Sequence, residues 1–129
     1  LSRASGLQLI DSHAHLGDER FDDDREEVLR RARAAGVEAL LIIGYNADSI
    51  ARAIAIAQGG PLTASSDSPA LYATAGFAPH NVGEADADAL AAVEATLEQP
   101  RVVAVGEIGL DYHYDMPQDE QRTLFDTQV

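Results

Sequence analysis

Cysteine and lysine are both missing from the 129 residues of this chain. Without cysteine there can be no disulfide and no thiolate metal ligand, which suits a reducing compartment. Without lysine, the basic side chains are nine arginines against twenty-two acidic residues, a net charge of −13. Nucleic-acid binding through phosphate neutralisation calls for clustered Lys and Arg, and no such basic patch is present. Long apolar runs are missing as well: none approaches the ~20 residues of a membrane span. The N-terminus shows no charged-then-apolar export signal. A cytoplasmic protein, with no membrane association and no obligate protein partner, is the expectation. A starting methionine is also lacking, so a processed or partial product is expected.

What is present suits one globular domain, with 46% hydrophobic residues and enough length for a buried core. Strand-like and helix-like segments alternate four times. Leu7 to Ile10 reads as a short strand running into Asp11-Ser12-His13-Ala14-His15. Asp22, Asp23 and Asp24 sit where a helix begins, and acids there favour the helix dipole. Val28, Leu29 and Ala32 follow at helical spacing, and Gly36 closes the helix. Val37 to Ile43 is a nearly continuous apolar run suited to a parallel strand buried on both faces. Asp48 to Gln58 reads as the second helix, broken by Gly59-Gly60-Pro61. The polar loop through Ser65 to Pro69 runs from helix back to strand and is expected on the face opposite the histidines. Leu71 to Phe77 is the third strand, Glu84 to Glu98 the third helix and Val102 to Ile108 the fourth strand. Pro117, well placed at a helix start, opens a fourth helix carrying Leu124 and Phe125.

Strands starting near 7, 37, 71 and 102 repeat about every thirty residues, and eight such units make the ~250 residues of a (β/α)8 barrel. The four units present predict an α/β fold: the first half of a TIM barrel, four parallel βα units over residues 1–129.

The residues able to do chemistry follow strands, and strand ends share the face where barrel active sites sit. On an extended strand, residues two apart point the same way, so His13 and His15 aim their imidazoles at one point, a donor pair suited to a divalent metal. Glu107, at the end of the fourth strand run, completes a His/His/Glu set. As a plain structural residue it would cap a loop or pair with an arginine, but an unpaired carboxylate at a buried strand end is costly. Asp11 is expected to orient an imidazole rather than bind metal. His80, after the third strand, stands open between touching substrate and bridging loop backbone. Asp111, Tyr112 and His113 are candidates to line the mouth, Asp111 and His113 on the substrate side, with loop capping the competing role for Asp111.

The segments Ile10-Asp11-Ser12-His13-Ala14-His15-Leu16, Ala35-Gly36-Val37, Gly76-Phe77-Ala78-Pro79-His80 and Gly106-Glu107-Ile108-Gly109-Leu110-Asp111-Tyr112, followed by Gln121 and Phe125, resemble the TatD-type metal-dependent hydrolases of the amidohydrolase superfamily. That resemblance implies a TIM-barrel DNase or exonuclease using two divalent metal ions (Mg, Mn or Zn). His13 and His15 would hold one ion, and Glu107 would bridge to the second. The implied substrate is DNA or another nucleotide phosphodiester. Ala78 stands where the family usually has a histidine before the proline. The remaining family ligands, two histidines and a late aspartate that is the expected general base, correspond to positions beyond residue 129. The resemblance thus covers an N-terminal half, inactive by itself. An amidohydrolase-like amide or ester hydrolase is the alternative enzyme, but its usual metal-bridging lysine has no counterpart in a chain without lysine. A third reading is an inactive partial chain.

Overall fold

Alternating strands and helices in the sequence become a parallel sheet with helices packed on one face. The computed structural model describes residues 8–61 and 64–129. Strand β1 (Leu9–Ala14) leads through a short 3₁₀ turn at Glu19–Phe21 to helix α1 (Arg25–Ala34). Then come β2 (Val37–Ile42), α2 (Ala47–Gly59) and β3 (Ala70–Ala75). A 3₁₀ segment at Pro79–Glu84 precedes α3 (Ala87–Leu97), β4 (Val102–Val105) and α4 (Gln118–Gln128). The sheet runs β1-β2-β3-β4 with every neighbouring pair parallel, the arrangement of half a (β/α)8 barrel.

Local chemistry sets the helix ends. An Asn46–Ser49 capping box starts α2: Asn46 Oδ1 accepts the Ser49 N–H at 2.9 Å, and Ser49 Oγ accepts the Asn46 N–H at 2.9 Å. Such pairs satisfy two amides that the helix itself leaves free. Asp86 caps α3 by accepting the Ala89 N–H at 2.8 Å. At α1 the aspartate run does something else. Asp24 holds the cap position without a side-chain cap bond, and the Asp22 carboxylate instead binds Arg25 and Arg52. Those two arginines also donate to the carbonyls of Leu16 and Gly17, so the acid run secures the loop after β1. The Arg25 contact first, opposed by desolvation and helped by Arg52, holds the Asp22 carboxyl below its ordinary range.

The core lies between the sheet and its helices. Leu40, Ile42, Leu71, Ala73 and Ala75 meet Ile50, Ala53, Ile54, Ala57, Val93 and Leu124. β2 and β3 pair without interruption from Ala39↔Ala70 to Ile42↔Ala73. The outer strands are irregular. On β1 the pairing steps from Asp11↔Leu40 to Ala14↔Ile42, three residues against two. On β4 it steps from Ala73↔Val102 to Thr74↔Ala104, leaving Val103 as the extra residue. Bulges of this kind bend a strand and re-aim its side chains, and they concentrate at edges and beside active sites.

The strands depart from their expected bounds, least in β2, which ends at Ile42 instead of Ile43, while β3 runs Ala70–Ala75 instead of Leu71–Phe77. β1 continues through the histidine motif to Ala14 instead of ending at Ile10, while the expected start at Leu7 lies outside the described residues. β4 stops at Val105 instead of Ile108, because the chain turns inward at Gly106. A Cβ built on Gly106 would lie 2.3 Å from the Gly44 carbonyl oxygen and 3.0 Å from the Gly76 nitrogen. Only a residue without a side chain allows this approach. Thr74, buried between these strand ends, accepts the Gly44 N–H through its hydroxyl at 3.2 Å. The end of β4 thereby reaches over β3 toward β2, carrying Glu107 with it.

Candidate metal centre

Three side chains from the two outer strands meet at one point. His13 lies in the bulged part of β1 and His15 directly after that strand, while Glu107 follows the inward turn at Gly106. The His13 and His15 Nε2 atoms are 3.2 Å apart, and each is 3.4 Å from Glu107 Oε2. Among the described residues, this is the one group of three or more His, Cys, Asp or Glu side chains whose ligand atoms converge this closely.

Glu107 Oε2 is shielded from solvent and has no hydrogen-bond partner. A buried carboxylate oxygen without a donor is costly, and its nearest polar neighbours are the two imidazole nitrogens. Donors bound at about 2.0–2.2 Å to one tetrahedral ion stand ~3.3–3.6 Å apart, close to the edges of this triangle. Two imidazoles and a carboxylate are also a common donor set for a divalent ion. The residues present fit a metal.

Asp11 accepts the backbone N–H of His13 at 3.1 Å. It therefore fixes the main chain of the motif, where an imidazole contact was expected. Sequence reasoning missed Tyr45, whose ring meets the His15 ring edge-on at 5.4 Å. Its place just after β2 was the available signal, since that end lies on the same rim. Tyr45 is anchored by its backbone: its N–H donates to Ser49 Oγ at 2.8 Å, and its carbonyl accepts the Ala78 N–H at 3.0 Å.

The expected substrate-side residues form a second group. His80 Nε2 lies 2.8 Å from Asp111 Oδ2, and Asp111 Oδ1 accepts the His113 N–H at 2.9 Å. That N–H is the main cause holding the Asp111 carboxyl below its ordinary value; partial desolvation opposes it and His80 reinforces it. The His113 imidazole does not join the pair and meets the Tyr114 ring edge-on at 4.8 Å. Tyr114 also meets His80, at 5.4 Å.

Helix α4 secures both loops through two glutamines. Fully buried Gln121 takes the Asp111 N–H at 2.8 Å and donates to the Asp111 carbonyl at 3.0 Å. Seven residues on, Gln128 does the same for Phe77, at 2.7 and 3.0 Å. Gln121 was visible in the sequence as part of a motif; Gln128 carried no local signal.

The family model described as TatD related DNase matches residues 10–129. The metal-dependent hydrolase YabD of Bacillus subtilis (strain 168) is 35% identical over 122 residues, which cover 94% of this chain and 45% of that protein. The protein named 3'-5' ssDNA/RNA exonuclease TatD from Erwinia amylovora is 34% identical over 122 residues, 94% of this chain and 44% of its own length. The crystal structure of the TatD homolog YjjV from Escherichia coli K12 superposes with a TM-score of 0.80 at 34% identity, over 93% of this chain and 44% of that one. A TatD family hydrolase from Entamoeba histolytica superposes equally well, TM-score 0.80 at 26% identity, over 98% and 46%. The chain thus spans a little under half the length of the relatives it matches.

Proposed function

The chain belongs to the TatD-related DNase family, and from that membership we propose that the His13–His15–Glu107 triangle holds a divalent metal ion in a hydrolase that cuts phosphodiester bonds of nucleic acid. The observation carrying this reading is the unpartnered Glu107 Oε2 facing two imidazole nitrogens at 3.4 Å. When bound, a divalent ion supplies Lewis acidity, polarising a phosphoryl oxygen and acidifying water. His13 and His15 would act as nitrogen donors, and Asp11 sets the backbone from which His13 projects. Glu107, with two carboxylate oxygens, is the residue that would also serve a second ion. Residues 1–129 act as the N-terminal half of one barrel domain, and the base that takes the proton from water is not among them.

Cobalt(II) titration followed by visible absorption tests the centre. One ion per chain with an imidazole-containing signature is expected, lost when His13 and His15 are both changed to Ala. Equal binding by that double variant would overturn the assignment. On single- or double-stranded DNA with Mg²⁺ or Mn²⁺ the chain alone should show no cleavage above background. Robust cleavage abolished by the same double substitution would place the base within these residues.

A further inference from the structure

Among the described residues, two polar side chains are buried: Gln121, which clamps Asp111, and Thr74, 3% exposed. Ala73 and Ala75, on either side of Thr74, belong to the core beneath the helices. Alternation along β3 therefore sends Thr74 to the opposite face of the sheet. What covers its hydroxyl there is the backbone at the ends of β2 and β4.

Both strand ends touch the same oxygen. Thr74 Oγ1 accepts the Gly44 N–H at 3.2 Å, and a Cβ built on Gly106 would lie 3.0 Å from it. Gly44 has little room to shift, since its own Cβ would fall 2.5 Å from the Thr74 carbonyl oxygen and 2.7 Å from Ile50 Cγ1. Gly106 is tied to β3 as well, donating its N–H to the Ala75 carbonyl at 2.8 Å. The break in β4 register falls at this level, between Ala73↔Val102 and Thr74↔Ala104. Glu107 is the next residue along the chain.

A buried amide without an acceptor is costly, so the hydroxyl holds Gly44 in place. The carbonyl of that same residue is the surface against which Gly106 packs. A shift of Gly44 therefore moves the support of Gly106, and Glu107 moves with it. The tolerance is small: Glu107 Oε2 stands 3.4 Å from each of two imidazole nitrogens, and metal–ligand distances hold to within roughly 0.2 Å. Plain packing is the competing role for Thr74. It depends on side-chain volume, whereas the relay depends on the oxygen.

We propose that Thr74 is a positioning residue for the metal centre: acting through Gly44 and Gly106, its hydroxyl sets where the Glu107 carboxylate stands against His13 and His15. This inference rests on the metal reading of the triangle and adds the residue that aligns its carboxylate. Two substitutions separate the oxygen from the volume. Thr74→Val keeps a branched side chain but replaces the oxygen by a wider methyl, leaving the Gly44 N–H unpaired. Thr74→Ser gives up a methyl and keeps the oxygen.

Cobalt(II) affinity, read by visible absorption, is the first measurement. Thr74→Val should bind at least ~10-fold more weakly, the scale on which residues supporting a metal ligand act, and Thr74→Ser should bind like the parent. In a Glu107→Gln background Thr74→Val should weaken binding no further, because a residue acting through Glu107 has nothing left to align. Amide hydrogen exchange in EDTA reads the relay without metal. The Gly44 and Gly106 amides should exchange about tenfold faster in Thr74→Val, the scale of one lost hydrogen bond, while Ile42 and Ala73 stay protected. A Val variant that binds like the parent, a Ser variant as weak as the Val one, or equal weakening in the Glu107→Gln background would overturn the role of Thr74 while leaving the metal reading intact. Unchanged exchange at Gly106, or faster exchange at Ile42 and Ala73 as well, would also overturn it. Cobalt binding that is absent from the parent, or that survives in the variant with His13 and His15 changed to Ala, would instead remove the metal reading and the role of Thr74 with it.

Discussion

Ile42, in β2, has no exposed surface, whereas Ile10, on adjoining β1, leaves 68% of its surface open. The same division runs through the sheet. β2 and β3 pair in unbroken register, β3 buried along most of its length and β2 half-buried or buried throughout, and neither contributes to the His13–His15–Glu107 cluster. β1 and β4 are bulged and exposed, yet they deliver all three side chains of the proposed centre. The sheet thus separates its duties. Regular inner strands provide packing, while outer strands, less constrained by neighbours, can bend enough to aim side chains at a common point. The end of β4 is steadied by the Gly106–Gly44 approach and the Gln121 clamp on Asp111, and the end of β1 by Arg25 and Arg52, which bind the Leu16 and Gly17 carbonyls.

The sharpest way to break this contrast is through the inner pair. Ile42→Ala removes buried methylenes from between the sheet and α2 and should cost about 3–4 kcal/mol, lowering the thermal midpoint by on the order of 10 °C. Calorimetry checks it, and a loss below ~1 kcal/mol would mean the inner strands are not the mechanical core. Gln121→Ala should cost less, about 2 kcal/mol, because two backbone groups of Asp111 lose their partner in a dry setting. Its distinctive effect is local: hydrogen exchange at the Asp111 and His113 amides should rise while β2 and β3 stay protected. Uniform acceleration would show that the clamp belongs to the core. The smallest effect belongs to the outer edges. Ile10→Thr with Val103→Thr should change stability by no more than ~0.5 kcal/mol while reducing self-association, since open edges and exposed apolar residues template intermolecular pairing. Sedimentation at several concentrations reads this directly; a stable monomer before substitution would remove the premise.

The inner strands were legible because their signal is local. Val37 to Ile43 is apolar but for Glu38, and Gly36 before it and Gly44 after it are turn residues, so composition alone locates β2. The convergence of His13, His15 and Glu107 was legible for a different reason: spacing assigns each to a strand end, and topology places those ends on one rim. Family resemblance then raised the specificity of that inference. What local pattern did not reveal are events fixed by distant partners. Nothing near Ile108 says that β4 will leave the sheet at Gly106, because the cause is the Gly44 carbonyl sixty-two residues earlier. Asp22 looks like a helix-start acid until Arg52 arrives from α2.

The approach of Gly106 to Gly44 also imposes an order in time. These residues stand on strands that do not touch, and the gap between them is spanned only once β3 is seated, with Thr74 in place beneath both. Long-range closure of this kind costs chain entropy before any contact offsets it. Glu107 is therefore expected to reach the two histidines late in assembly, after the inner sheet exists. In a refolding experiment, competence to capture a metal ion would lag behind the appearance of helix and sheet, and would serve as a clock for the last step of maturation.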